Sequence, residues 1–394
     1  MAKTLDTSRP LRSATTAPGS QHAVIVLRLI CGGIIAFGSF LTVLGTSWDI
    51  QWHSFVGRDR TLIPPHVMSL VGLALCGLAA LSVVLLETSW KRRNPSLAGH
   101  DTPFADYFRG PLGAYVAGFA ALDAAIAFPL DSYWHALYGI DVAIWAPFHV
   151  MIIVSAAIMP LGGTYLLLSA AHLAEHMGNQ RAARKGYLGA IISLALTLAM
   201  FTYLLPDALK SSKYIDLGIG ALNFFPLLSA LLVGWIFVTA LYALPRRWAA
   251  SSVALVYLLC ALIFEAFVPP AMNILIPIEH LTYVKSVGIF VNVSLIALHF
   301  WYLAPLVVAP LLDLFYSRAQ RGAWPSRRVI MTLALVTLLA GIPIIIIPAN
   351  QPLVMIIKMG IVGFVLSLGL GLCGAWLGVV LGQRTGTFMR QLEK

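Results

Sequence analysis

Asp49, His53 and His66 recur as Asp131, His135 and His149, the first two positions 82 residues further on and the last 83. Gly57 and Asp59 recur with them as Gly139 and Asp141, and a Trp precedes the first His of each set (Trp52, Trp134). Carboxylate and imidazole together make metal sites. Two His and one carboxylate on one face hold non-haem iron, the same set holds zinc, and nitrogen and oxygen donors also hold Cu(II). Three protein ligands leave positions open for water or substrate. The competing explanation is an interfacial aromatic belt of Trp48, Trp52, Tyr133, Trp134 and Trp145, with the His and Asp as wet loop residues. One copy would leave the two explanations about even; two matched copies favour the metal.

The elements that position these residues follow from their spacing. Positions i and i+4 share a helix face, so Asp49 with His53, and Asp131 with His135, present a carboxylate and an imidazole together. Gly57 and Gly139, four residues later, suit a left-handed helix stop. Pro65 and Pro147 suit the first turn of the next helix, which leaves His66 and His149 in that turn. A helix–turn–helix hairpin then folds the third ligand back over the first two. Asp59 and Asp141 are placed to orient an imidazole N–H or to pair with Arg58 or Arg60. Asp123, two helical turns before Asp131, is placed to support the second site or relay protons.

These segments stand out because the remainder is so apolar. Of 394 residues 59% are hydrophobic and 11% charged, against about a quarter charged in soluble domains. The expected fold is therefore all-α, a polytopic helix bundle in a lipid bilayer. Apolar runs of about 20 residues give ten spans, near 23–46, 65–86, 111–130, 148–171, 187–205, 220–244, 249–269, 287–312, 329–348 and 353–381. The net charge of +10 is distributed by topology: with both termini inside, 19 Lys and Arg fall inside and five outside. That asymmetry is the positive-inside bias, and it argues against nucleic acid as a partner. It puts both Asp/His segments on the extracytoplasmic side and makes spans 1–2 and 3–4 a parallel repeat. No Lys or Arg lies near Asp131 or Asp141, and an unpaired carboxylate at a membrane boundary is costly, which favours a cation there. Residues 1–22 read as a disordered cytoplasmic tail, 23–177 as a duplicated metal-binding helix-pair region, and 178–394 as a transmembrane region without an assigned role. Cys31, Cys76, Cys260 and Cys373 fall inside spans without metal or disulfide spacing.

The first segment, WDIQWHSFVGRDRTLIPPH, has D-x3-H-x12-H spacing. It resembles one membrane component of the copper membrane monooxygenases, the particulate methane and ammonia monooxygenases. That family has a second site with N-x3-H-x13-H spacing, matched here by Asp131, His135 and His149 with Asp in place of Asn. The resemblance covers about residues 23–155. It implies copper as the metal, two sites between paired helices, and partners in the form of other membrane subunits or further copies of the chain. The function expected on this basis is oxidation of a small apolar or ammonia-like substrate with O2, at the bacterial inner membrane, with reductant such as a quinol from outside the chain. The alternatives are a metal transporter that uses the triads as stations, and a non-catalytic scaffold or assembly factor.

Other polar residues read as structural. His172 and His176 sit at a helix end, where His is common. Glu265, Lys358 and His299 lie inside spans, and Glu279 and His280 flank a Pro-rich outer segment. Gly371, Gly374 and Gly378 permit close helix packing and read as an assembly surface. No Walker, Rossmann, nucleophile-elbow or HExxH motif is present, so nucleotide-driven pumping and hydrolase chemistry have no support.

Overall fold

A computed structural model describes residues 18–56, 62–139, 144–208, 213–283, 303–341 and 351–393. Within them the helices are α1 (Pro18–Phe55), α2 (Pro64–Arg93), α3 (Leu112–Tyr138), α4 (Pro147–His176) and α5 (Gln180–Thr202). They continue as α6 (Leu205–Ala208), α7 (Phe225–Ala243), α8 (Ala249–Ile278), α9 (Leu303–Arg321), α10 (Ser326–Thr337) and α11 (Gln351–Gln391). Eight of these, α1 to α5, α7, α8 and α11, are long and apolar enough to cross a membrane. The chain is a multi-pass integral membrane helix bundle. Of the ten expected spans, most of 287–312 and the end of 329–348 lie outside the described residues. Two small antiparallel ribbons sit in loops. One pairs Thr102–Phe104 (β1) with Phe108–Gly110 (β2), and the other pairs Ile215–Asp216 (β3) with Ala221–Leu222 (β4).

Several helices overrun the apolar stretches that announce them. α1 starts at Pro18, inside the stretch expected as tail, and continues through Asp49 and His53 to Phe55. Backbone hydrogen bonding does not stop where hydropathy falls, so polar residues extend a helix past the hydrocarbon. α8 likewise passes Pro269 and Pro270 to reach Ile278. Helices in a membrane bundle tolerate proline where neighbours satisfy the freed backbone groups.

Backbones approach closely where glycine removes the side chain. In the α1/α2 hairpin a Cβ at Gly72 would collide with the Gly38 carbonyl oxygen, and in the α3/α4 hairpin a Cβ at Gly162 would meet the backbone of Gly113 and Ala117. These two contacts zip each hairpin. α4 is buried along most of its length and packs against α1, α3 and α5. The glycines of α11 do the same against α7: a Cβ at Gly374 or Gly378 would strike the carbonyl oxygens of Leu227 and Leu231. The small-residue face expected as an assembly surface is thus spent within the chain. Van der Waals packing of apposed backbones holds helices together where lipid supplies no hydrophobic drive.

A charged cluster closes the other end of the hairpins. Arg28 of α1 is fully buried and meets Glu87 of α2 in a bidentate pair, Nε to Oε1 at 2.7 Å and Nη2 to Oε2 at 2.8 Å. Its Nη1 donates to Glu393 Oε1 at 2.6 Å and to Ser169 Oγ of α4. Ser169 in turn donates to Glu393 at 2.7 Å, and a ring nitrogen of His172, Nδ1, lies 2.9 Å from the Leu392 carbonyl. The chain's last described residues are inserted among α1, α2 and α4.

Candidate metal centres

Each triad is assembled by one hairpin. Asp49 and His53 occupy the last turns of α1, and His66 follows Pro64 and Pro65 in the first turn of α2. Asp131 and His135 lie in the last turns of α3, and His149 follows Pro147 in the first turn of α4. Proline at the first helical positions lacks only an N–H that would have no partner there. It starts the second helix directly before the ligand. Gly139 ends α3 at φ 84° and ψ 173°, a backbone region that is essentially glycine's own. Its N–H caps the His135 carbonyl at 3.0 Å.

The donor atoms converge. In the first centre Asp49 Oδ1 lies 3.4 Å from His53 Nε2 and 2.9 Å from His66 Nε2. In the second, Asp131 Oδ2 lies 3.4 Å from His135 Nε2 and Oδ1 lies 3.3 Å from His149 Nε2. The imidazole centroids stand 6.1 Å apart in the first centre and 5.3 Å apart in the second. Each triad has its three donors within 4.8 Å of one another, and these are the only two such His/Cys/Asp/Glu groups among the described residues.

These distances fit a bound cation. Metal–donor bonds of about 2.0–2.2 Å, opened to about 90–110°, place neighbouring donors roughly 2.9–3.4 Å apart. Charge-assisted hydrogen bonds run shorter, about 2.7–2.9 Å, and three of the four contacts exceed that range. The six side chains are between 12% and 25% exposed, so the sites are sheltered but open.

The surroundings of the centres differ. Trp48 and Trp52 are buried in the core with Val56 and Ile63, and Trp48 meets Phe267 of α8 edge-on at 5.6 Å. They are core residues, not members of an exposed belt, whereas Tyr133 near the second centre is exposed. His135 Nδ1 lies 3.1 Å from the Gly139 carbonyl; donation there fixes the tautomer that leaves Nε2 to face Asp131. The glycine stop was legible in the sequence, but its second use as an imidazole anchor was not. Phe128 of α3 stacks edge-on to His66 at 6.5 Å, so the first centre borders the helix that carries the second.

Asp123 accepts a hydrogen bond from Ser155, which ties α3 to α4 below the second triad. Arg58, Asp59 and Asp141 lie outside the described residues, as do Gly57, Arg60 and His299. Among the described residues His172 and His176 join no three-donor group, and neither do Glu265, Glu279 or His280. No family model, curated protein or solved structure matches this chain, so its own side-chain geometry carries the functional reading.

Proposed function

We propose that this chain is a copper-binding membrane subunit that oxidises a small apolar or ammonia-like substrate with O2, as part of a larger assembly. The observation that carries the metal is the convergence, twice, of one carboxylate and two imidazole Nε2 atoms at coordination spacing. The choice of copper rests on the D-x3-H-x12-H and D-x3-H-x13-H spacings, which resemble those of the copper membrane monooxygenases. In this reading both termini lie on the cytoplasmic side, the two hairpins are a parallel repeat, and both centres face the extracytoplasmic side of a bacterial inner membrane.

Bound copper would supply one-electron redox chemistry and an attachment point for O2. The chain's own residues do the rest. Asp49 and Asp131 each place one negative charge against the cation. His53 and His66, and His135 and His149, hold it from two helices, so metal affinity depends on hairpin closure. Phe128 gives His66 of the first centre an apolar contact. An apolar molecule arriving from the bilayer meets such a surface without a desolvation penalty. Electrons come from outside the chain, for which a membrane quinol is suited.

The deciding experiment is metal analysis with X-ray edge spectroscopy on purified protein, beside a His53→Ala/His135→Ala double variant. Copper at both centres in the wild type, and its loss in the variant, is the expected result. Equal and negligible copper in the two proteins ends the proposal. O2 consumption with a quinol and candidate substrates then tests the reaction. Uptake of isotopic copper into vesicles without O2 consumption would replace it with metal transport.

A further inference from the structure

A groove of 710 Å³ runs between α2 and α3, lined by apolar residues from Leu70 to Val84 on α2 and from Ala114 to Ala125 on α3. Its floor is made of small residues, among them Gly77, Ala80, Gly118 and Ala121, and its rims of Leu78, Leu81 and Phe119. Along α2 those positions cover about 21 Å at a rise of roughly 1.5 Å per residue. One leaflet of hydrocarbon is about 15 Å deep, half of a core of roughly 30 Å. The groove is therefore long enough for a complete extended acyl chain. At one end the β1–β2 ribbon folds over it: Phe104 packs on Tyr115 and Phe119, both at 5.5 Å.

A second, polar pocket of 320 Å³ begins where the groove stops. Phe108 lines both, and the polar pocket adds Thr88, Ser89, Arg92 and Arg93. Arg92 Nη2 is held by the Tyr107 carbonyl at 3.2 Å, which orients its guanidinium. Neither Arg92 nor Arg93 forms an ion pair with a carboxylate among the described residues, whereas neighbouring Lys91 is neutralised by Asp101. No Asp or Glu lines either pocket.

From this juxtaposition we infer that the α2/α3 groove is a binding site for an anionic phospholipid, its acyl chain in the groove and its phosphate on Arg92 and Arg93. Guanidinium groups grip phosphate oxygens through paired N–H donors. A zwitterionic headgroup gains less here, because no carboxylate is present to receive its cation. The site is independent of the metal centres.

The test is native mass spectrometry of the full chain, delipidated in detergent and titrated with phosphatidylglycerol or phosphatidylcholine of the same chains. Phosphatidylglycerol is expected to bind more tightly. The Arg92→Gln/Arg93→Gln variant should lose that preference, with affinity for phosphatidylglycerol falling about 30-fold, the worth of two basic side chains at an anionic surface. Gly118→Leu and Ala74→Phe fill the groove from opposite walls without entering the core, and each should weaken both lipids. Thermal melts identify any variant that misfolds, and the other groove variant then decides. Equal binding of the two lipids overturns the inference, as does undiminished binding in a folded groove variant. Displacement of phosphatidylglycerol by glycerol phosphate alone also overturns it, since that would mean a phosphate site with no use for the groove.

Discussion

Replacing Arg28 by Met is expected to be among the most damaging single changes in the bundle, although it lies far from either triad. Arg28 faces two carboxylates, Glu87 through two bonds and Glu393 through one. The Glu87 and Glu393 side chains are only 1% and 5% exposed. Removing one partner of a buried ion pair costs about 3–5 kcal/mol, because the remaining charge stays buried without compensation. That is roughly a 150-fold to several-thousand-fold shift in the folding equilibrium, at about 1.4 kcal/mol per decade. Glu393→Gln leaves the Arg28–Glu87 pair intact and weakens only the charge-assisted hydrogen bonds from Arg28 and Ser169, for about 1.5–3 kcal/mol. The triple variant Arg28→Met/Glu87→Leu/Glu393→Gln should recover most of the single-variant loss, because it leaves neither carboxylate buried without its counter-charge. Unfolding in mixed micelles, followed by helical circular dichroism, reads all three. A cost below about 1 kcal/mol for Arg28→Met would refute the reasoning. So would a triple variant as unstable as the single one.

Five further changes separate the centres from the scaffold. His66→Ala removes one ligand of the first triad and should halve the metal bound per chain while leaving the second centre loaded, as read by metal stoichiometry. Gly139→Ala forces a side chain into a glycine-only backbone region at a cost of about 1–3 kcal/mol; it should lower metal occupancy at the second centre alone. Gly72→Val would drive a branched side chain into the Gly38 carbonyl, separating α1 from α2. It should weaken metal binding at the first centre without touching a ligand, and Gly162→Val should do the same to the second. Gly374→Val has the corresponding clash against Leu227 of α7; it should lower thermal stability and, by loosening the helix that leads to Glu393, weaken metal binding at both centres instead of one.

The centres were legible because their determinants are local. A four-residue step within a helix, a glycine stop and a proline start can be read without knowing what packs where, and all six triad residues met as their spacing required. What the sequence hid was pairing over distance. Arg28 lies inside an apolar span, where a charge needs a partner, but its partners stand 59 and 365 residues away, and nothing local distinguishes Glu87 or Glu393 from other acids. Gly374 and Gly378 announced a close helix contact and not which helix makes it. Trp48 and Trp52 fit an interfacial belt by position, yet their helix turns them inward. Composition at a helix end does not record the direction in which a side chain points.

The C-terminal helices acquire a physical role from these contacts. Asp49 and His53 stand near one end of α1, and Arg28 lies 21 residues before Asp49, a separation of about 31 Å along the helix. The first hairpin is thus pinned twice, by the contacts of Asp49 with His53 and His66 at one end and by the Arg28–Glu87 pair at the other. Glu393, just beyond α11, joins the second pin, and α11 is itself held by glycine contacts with α7. α4, which carries His149 at its start, meets the same cluster through Ser169 and His172 near its end. Both hairpins are therefore braced at the end opposite their ligands by the last residues described. A triad drawn from two helices keeps its donors within a few ångströms only while those helices cannot splay, and the C-terminal segment resists that splaying at the end the triads do not reach.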